Sequence, residues 1–111
     1  MALPPDQVFY VSPEQINAWR DKDEAVIVDV RETNEWDEAH IPGAILKPLS
    51  TFKLSDIPDP GGKHLVFHCR SGRRCGMAAE IAVAAGYKGV IKRMDGGFLA
   101  WDAAGYDSEP G

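Results

Sequence analysis

The sequence predicts an α/β domain built on a mostly parallel sheet, and three observations predict it. Short apolar, β-branched runs recur along the chain, at Val8–Val11, Ala25–Val30, Leu65–Phe67 and Val90–Arg93. Such near-continuous runs fit strands buried on both faces better than strands with one wet face. Helical or turn chemistry separates each run from the next, the alternation that parallel strands need for their crossovers. The length of 111 residues, with 44% hydrophobic and 26% charged residues, suits one globular domain with a single core.

Taken in order, residues 1–7 read as a short flexible arm, because Pro4–Pro5 excludes a helix. Val8–Val11 is the first strand. Ser12, Pro13 and Gln15 then supply an N-cap, a proline at the first helical position and a capping-box partner. Ile16 and Trp19 form the buried side of that helix, and Asp21–Glu24 is a charged turn. Ala25–Val30 is a central strand. A short helix over Asn34–Ala39 follows, with Thr33 as its cap and Trp36 turned inward. His40–Gly43 is a turn by its Pro-Gly chemistry, leading into a strand at Ala44–Leu46. Ser50–Ile57 reads as a short helix and Pro58–Gly62 as a loop. Beyond Leu65–Phe67 an Ala-rich segment, without Gly or Pro from Met77 to Ala85, forms a helix closed by Gly86. Val90–Arg93 is the last strand, Asp95–Gly97 a turn, and Phe98–Ala104 a final helix carrying Trp101 and ended by Gly105. Residues 106–111 read as a second flexible end, so the domain proper spans 8–105.

A net charge of −5 argues against a nucleic-acid or anionic-membrane surface. No apolar run approaches the ~18–20 residues of a membrane span, and the first residues lack the features of a signal peptide. Two cysteines cannot build a disulfide framework, so a reducing, cytoplasmic setting is the default. There is no CxxC, no HExxH and no repeat, and His40, His64 and His68 are too scattered for a metal site. The composition calls for no metal and no cofactor.

Against that acidic background one short stretch is locally basic. Cys69 follows a buried strand and opens a loop of Arg70, Ser71, Gly72, Arg73 and Arg74 that runs into the Ala-rich helix. The first amides of a helix have no internal partners and point at whatever occupies the loop. Helix N-termini and neighbouring arginines also lower the pKa of a cysteine. Arginines at a helix N-terminus oppose its dipole, so helix stability alone would select Asp or Glu there, yet the first acid is Glu80. The cluster reads as an anion receptor around a thiolate at the carboxyl edge of the sheet, where open α/β folds bind ligands.

Three stretches, DVRETNEWDEAHIPGAI (Asp29–Ile45), CRSGRR (Cys69–Arg74) and DGGFLAW (Asp95–Trp101), together resemble the rhodanese family of sulfurtransferases, in particular its single-domain members. The likeness runs from about Val8 to Gly105, with Ala39 standing where the family usually has Gly. It implies a rhodanese-like three-layer domain, with helices on both faces of a five-stranded sheet. It also implies a persulfide mechanism carried by Cys69, with a small anionic sulfur donor such as thiosulfate and cyanide, a thiol or a protein as sulfur acceptor. Arg70, directly after the cysteine, suits thiosulfate, although two-domain thiosulfate users often carry Lys where Ser71 stands. Arg70, Ser71, Gly72, Arg73 and Arg74 are the expected substrate-binding residues.

Some of these residues also have plainer roles. Arg74 can form a salt bridge to Asp29 or Glu35, Ser71 can cap the helix, and Gly72 serves loop geometry. Asp29, Arg31 and His40 read as structural. His68 adjoins the nucleophile, but strand neighbours point to opposite faces. Cys75, at the helix start, is open to the same acidification as Cys69, or is simply a small helical residue. Two alternatives of other classes remain: a cysteine-dependent phosphatase or arsenate reductase, and a sulfur-carrier or sensor module that docks a partner. The phosphatase reading is disfavoured because four residues, not five, separate Cys69 from Arg74.

Overall fold

In the computed structural model, which describes Leu3–Gly111, nine regular elements alternate along the chain. Met1 and Ala2, part of the arm expected to be flexible, lie outside the described residues. The elements are β1 (Val8–Val11), α1 (Pro13–Asp21), β2 (Ala25–Asp29), α2 (Thr33–Glu38), β3 (Ile45–Leu46), β4 (His64–His68), α3 (Arg74–Ala84), β5 (Ile91–Met94) and α4 (Gly97–Ala103). The strands form one sheet in the order β1-β5-β4-β2-β3, with every neighbouring pair parallel. The expected five-stranded α/β architecture is therefore present.

Alternation of side chains divides the core in two. Val28, Leu65, Phe67 and Ile91 face α3, whose Ala78, Ala79 and Ala82 let the helix lie close to the sheet. Ile27, Val66 and Met94 face the other way, against Ile16 of α1 and Trp101 of α4. Each large apolar side chain buried in this way contributes roughly 1.5–3 kcal/mol. Strand β4, buried on both sides from Leu65 to His68, carries the chain to the centre of the sheet's carboxyl edge. Among the described residues, no helix is long and apolar enough to cross a membrane.

Several local expectations need correction. Instead of a helix over Ser50–Ile57, two 3₁₀ turns occupy Leu49–Thr51 and Leu54–Asp56, with Lys53 extended between them. The break lets Phe52 leave the surface and meet Phe67 edge-on at 5.6 Å. Helix α2 is capped at Glu32 rather than Thr33, where the Glu35 carboxylate accepts from the Glu32 amide at 3.1 Å. Trp36 is half-buried and stacks flat on His40 with ring centroids 3.7 Å apart. The end 106–111, read as flexible from its composition, is tied to the body: His40 and Glu109 exchange backbone hydrogen bonds of 2.8 and 2.9 Å. The indole of Trp101 donates to the Asp107 carbonyl at 2.8 Å, which draws the same segment over α4.

Candidate active site

β4 ends at His68, and the chain then turns through Cys69–Arg73 before α3 begins. Gly72 has φ +105, a left-handed conformation that side-chain-bearing residues rarely adopt, and this bends the loop back over the cysteine. Its amide donates to Cys69 Sγ at 3.2 Å. Cys69 is 1% exposed and forms the floor of the loop, while Arg70, Ser71 and Arg73 stand exposed around it. The Cys75 thiol holds the Cys69 pKa down to about 5, aided by the amides of Cys75, Gly72 and Arg74 and opposed by burial. This setting favours the thiolate form of Cys69.

Cys75 behaves oppositely to the acidification that its place in the helix invites. It is fully buried, and the neighbouring Cys69 thiolate together with burial pushes its own pKa up. Its one proton has two acceptors in reach, the Gly72 carbonyl at 3.1 Å and the Cys69 sulfur. Both choices serve the loop, one by fixing Gly72 and the other by stabilising the thiolate directly.

The remaining expected site residues separate by role. Arg74 pairs with Glu35, not Asp29, in a two-pronged bridge with Nη2 2.8 Å from Oε2. That hydrogen bond lowers the Glu35 pKa to about 2. Asp29 is already taken: Arg31 donates to its carboxylate at 2.8–3.0 Å, to the Ala39 carbonyl at 2.8 Å, and stacks over Phe98. Ser71 does not cap α3; Arg73 occupies the cap position and no side chain bonds there. His68 is fully buried on the face opposite Cys69, with burial pushing its pKa down. Its Nε2 lies 3.5 Å from Asp29 without hydrogen-bond alignment. It is a neutral core histidine, badly placed to take a proton from the thiol.

Two residues at the site escaped the sequence reading. Arg93, on β5, donates from Nη2 to the Gly72 carbonyl at 2.7 Å and stacks over Tyr10 at 4.2 Å. Its position next to Phe67 in the sheet register was the only available signal, and that needs the strand order. Gly97 starts α4 with φ +61 and presses against the Cys69 and Arg70 carbonyls, where a Cβ would stand 2.6 and 2.5 Å from the oxygens. The next amides, of Phe98 and Leu99, donate to those carbonyls at 2.7 and 3.0 Å. The α4 N-terminus therefore clamps the outside of the loop. A cleft of about 470 Å³ flanks the loop on its Arg93 side. Another of about 400 Å³, lined by Arg20, Asp21 and Ala25, lies at the opposite end of β2 and far from these groups.

Comparisons with known proteins agree with this geometry. A family model described as a rhodanese-like domain matches residues 12–104. An uncharacterised protein of Synechocystis is 38% identical over 95 residues, covering 86% of this chain and 52% of that protein. A tRNA uridine(34) hydroxylase of Chlamydia abortus is 27% identical over 107 residues, covering 89% of this chain and 32% of the enzyme. The chain thus spans about half or less of the length of these curated relatives. The crystal structure of a thiosulfate sulfurtransferase from Pseudomonas aeruginosa superposes with a TM-score of 0.80 at 27% identity, covering 94% of this chain and 20% of that one.

Proposed function

The chain belongs to the family of rhodanese-like domains, which supports sulfur-transfer or related chemistry, and on that premise we propose that it moves a sulfane sulfur from an anionic donor such as thiosulfate to a thiophilic acceptor. The observation that carries this reading is the Cys69 sulfur, buried at the carboxyl edge of the sheet under a loop whose Gly72 amide donates to it at 3.2 Å, a setting that holds its pKa down to about 5. The Cys69 sulfur attacks the sulfane sulfur of thiosulfate, a new S–S bond forms, and the old one breaks to release sulfite. The acceptor (cyanide, a thiol or a protein) then takes the outer sulfur, and the electron pair of the persulfide bond returns to Cys69 as thiolate. One hard transfer becomes two easier ones. Loop amides that hold the thiolate stand ready for the terminal sulfur of the persulfide, which also carries negative charge.

Arg70 and Arg73, exposed beside the thiolate, draw in a dianion, and Ser71 and Gly72 line its approach. Arg74 serves through its amide, since its guanidinium is committed to Glu35. That commitment also weighs against a phosphatase, which needs the closing arginine on the phosphoryl oxygens. The working unit is residues 8–105, in a cytoplasm reducing enough to keep Cys69 and Cys75 as free thiols.

Intact mass after thiosulfate treatment tests the proposal. The protein should gain one sulfur atom, lose it on addition of cyanide, and gain nothing as Cys69→Ser. Aryl phosphate hydrolysis by the unaltered protein, lost in Cys69→Ser, would overturn the assignment.

A further inference from the structure

The cleft beside the loop is built differently from the loop mouth. Tyr10, Gly72, Arg73, Met77 and Arg93 line it, with Ser71 at the rim shared with the loop. At about 470 Å³ it has the size of a small-molecule site and far exceeds what an inorganic donor of five heavy atoms fills. Neither Arg73 nor Arg93 forms an ion pair among the described residues.

Arg93 is held in place without being neutralised. Tyr10 stacks on its guanidinium and the Gly72 carbonyl accepts from Nη2, both uncharged partners. Among the described residues its buried Nε has no hydrogen-bond partner, whereas folded proteins usually satisfy such donors. Room for the guanidinium comes from Gly76, where a Cβ would lie 2.5 Å from Nη2. An arginine kept charged, oriented and unpaired at a cleft wall is an anion receptor. The acid in the cleft, Glu80, stands seven residues beyond Arg73 and one helical turn beyond Gly76, on which Arg93 packs, and among the described residues it pairs with neither arginine.

Building on the sulfur-transfer reading, we infer that this cleft is the acceptor's seat and selects a thiol that carries a carboxylate, which Arg93 and Arg73 bind. Gly72 is shared between the two sites: its amide meets Cys69 Sγ at 3.2 Å while its carbonyl meets Arg93 at 2.7 Å. Cys69 itself lies beyond Gly72, outside the cleft lining, so a carboxylate on the arginines places the thiol end of a short acceptor at the Ser71–Gly72 rim, on the side from which it would meet the outer sulfur of a Cys69 persulfide. The acceptor thiolate attacks that sulfur, its own S–S bond forms, and Cys69 leaves as thiolate.

The test compares two acceptors of similar size, 3-mercaptopropionate and 2-mercaptoethanol, corrected for their thiolate fractions. The unaltered protein should prefer the carboxylate by about tenfold in kcat/KM, the scale of one charge-assisted hydrogen bond. Arg93→Gln should collapse the ratio towards one, and Arg73→Gln should reduce it in part. Because the ratio is taken within each variant, slower persulfide formation cancels, and Arg73→Gln decides the matter should Arg93→Gln not fold. Binding of the unreactive 3-(methylthio)propionate, followed by the amide resonances of Gly76 and Met77, gives a readout independent of turnover. Persulfide formation with no preference between the thiols, or a preference retained in both variants, overturns the inference. Binding at Gly76 and Met77 in a protein that never forms a persulfide would instead sink the sulfur-transfer reading alone.

Discussion

Replacing Cys75 by alanine should raise the pKa of Cys69 by about one unit. In the unaltered protein the Cys75 thiol is the largest of the influences that hold Cys69 near 5, ahead of the loop amides. A hydrogen bond to a charged acceptor contributes roughly 1.5–3 kcal/mol, and a thiol is a weak donor, which points to the lower end. At about 1.4 kcal/mol per unit this becomes roughly one unit. The loop itself should survive, because Arg93 still donates to the Gly72 carbonyl at 2.7 Å and Gly72 still donates to Cys69 at 3.2 Å. The assay is the rate of Cys69 alkylation by iodoacetamide against pH, read by peptide mass. The midpoint should lie near 5 in the unaltered protein and near ~6 in Cys75→Ala. The sign has a counterpart in stability. Ionisation of Cys69 is easier folded than unfolded, so its contribution is complete above the ordinary value of 9.0 and is lost as pH falls through about 5. An unshifted midpoint in Cys75→Ala, or a midpoint of ~8–9 in the unaltered protein as for a free thiol, would refute this account of the thiolate.

Two further substitutions probe the frame. Gly97→Ala should destabilise the fold by roughly 2–4 kcal/mol in urea unfolding, since it adds left-handed strain to a clash with two backbone oxygens. The same change should slow Cys69 alkylation by loosening the clamp on the loop, and a neutral result would mean that α4 does not hold it. Glu35→Gln should cost roughly 1–3 kcal/mol at neutral pH, because it breaks a two-pronged, largely buried bridge to Arg74. The Glu35 carboxyl is depressed to about 2, so the bridge's contribution is present above the ordinary value of 4.5 and lost as pH falls through 2. The stability gap between Glu35→Gln and the unaltered protein should therefore close over that window, and a gap that stays constant down to pH ~2 would exclude the bridge as its source.

Much of the domain was legible because its signals are local. The Ser12 cap, the apolar runs of β2 and β4 and the Gly86 terminator are each written within a few neighbouring residues, and each is found in place. Ser50–Ile57 misled because the nine residues between Pro48 and Pro58 are too few for a regular helix that also seats Leu49, Phe52 and Ile57 on the core, and two separate 3₁₀ turns do so. The end after Tyr106 looked loose because its partners, His40 and Trp101, lie elsewhere in the chain.

By itself the sequence determined where the candidate site lies: a buried strand, a cysteine, a glycine-bearing basic loop and a helix follow one another over about twenty residues, and chain connectivity alone places them together. Only the tertiary structure decided what surrounds that centre. Inserting β5 between β1 and β4 brings Tyr10 and Arg93 to the loop. Docking α4 at the sheet's edge sets Gly97 against Cys69. Packing α2 alongside gives Arg74 to Glu35 and leaves Asp29 to Arg31. These neighbours are set by strand order and helix placement, which depend on how whole buried surfaces match, and no short run of residues encodes that.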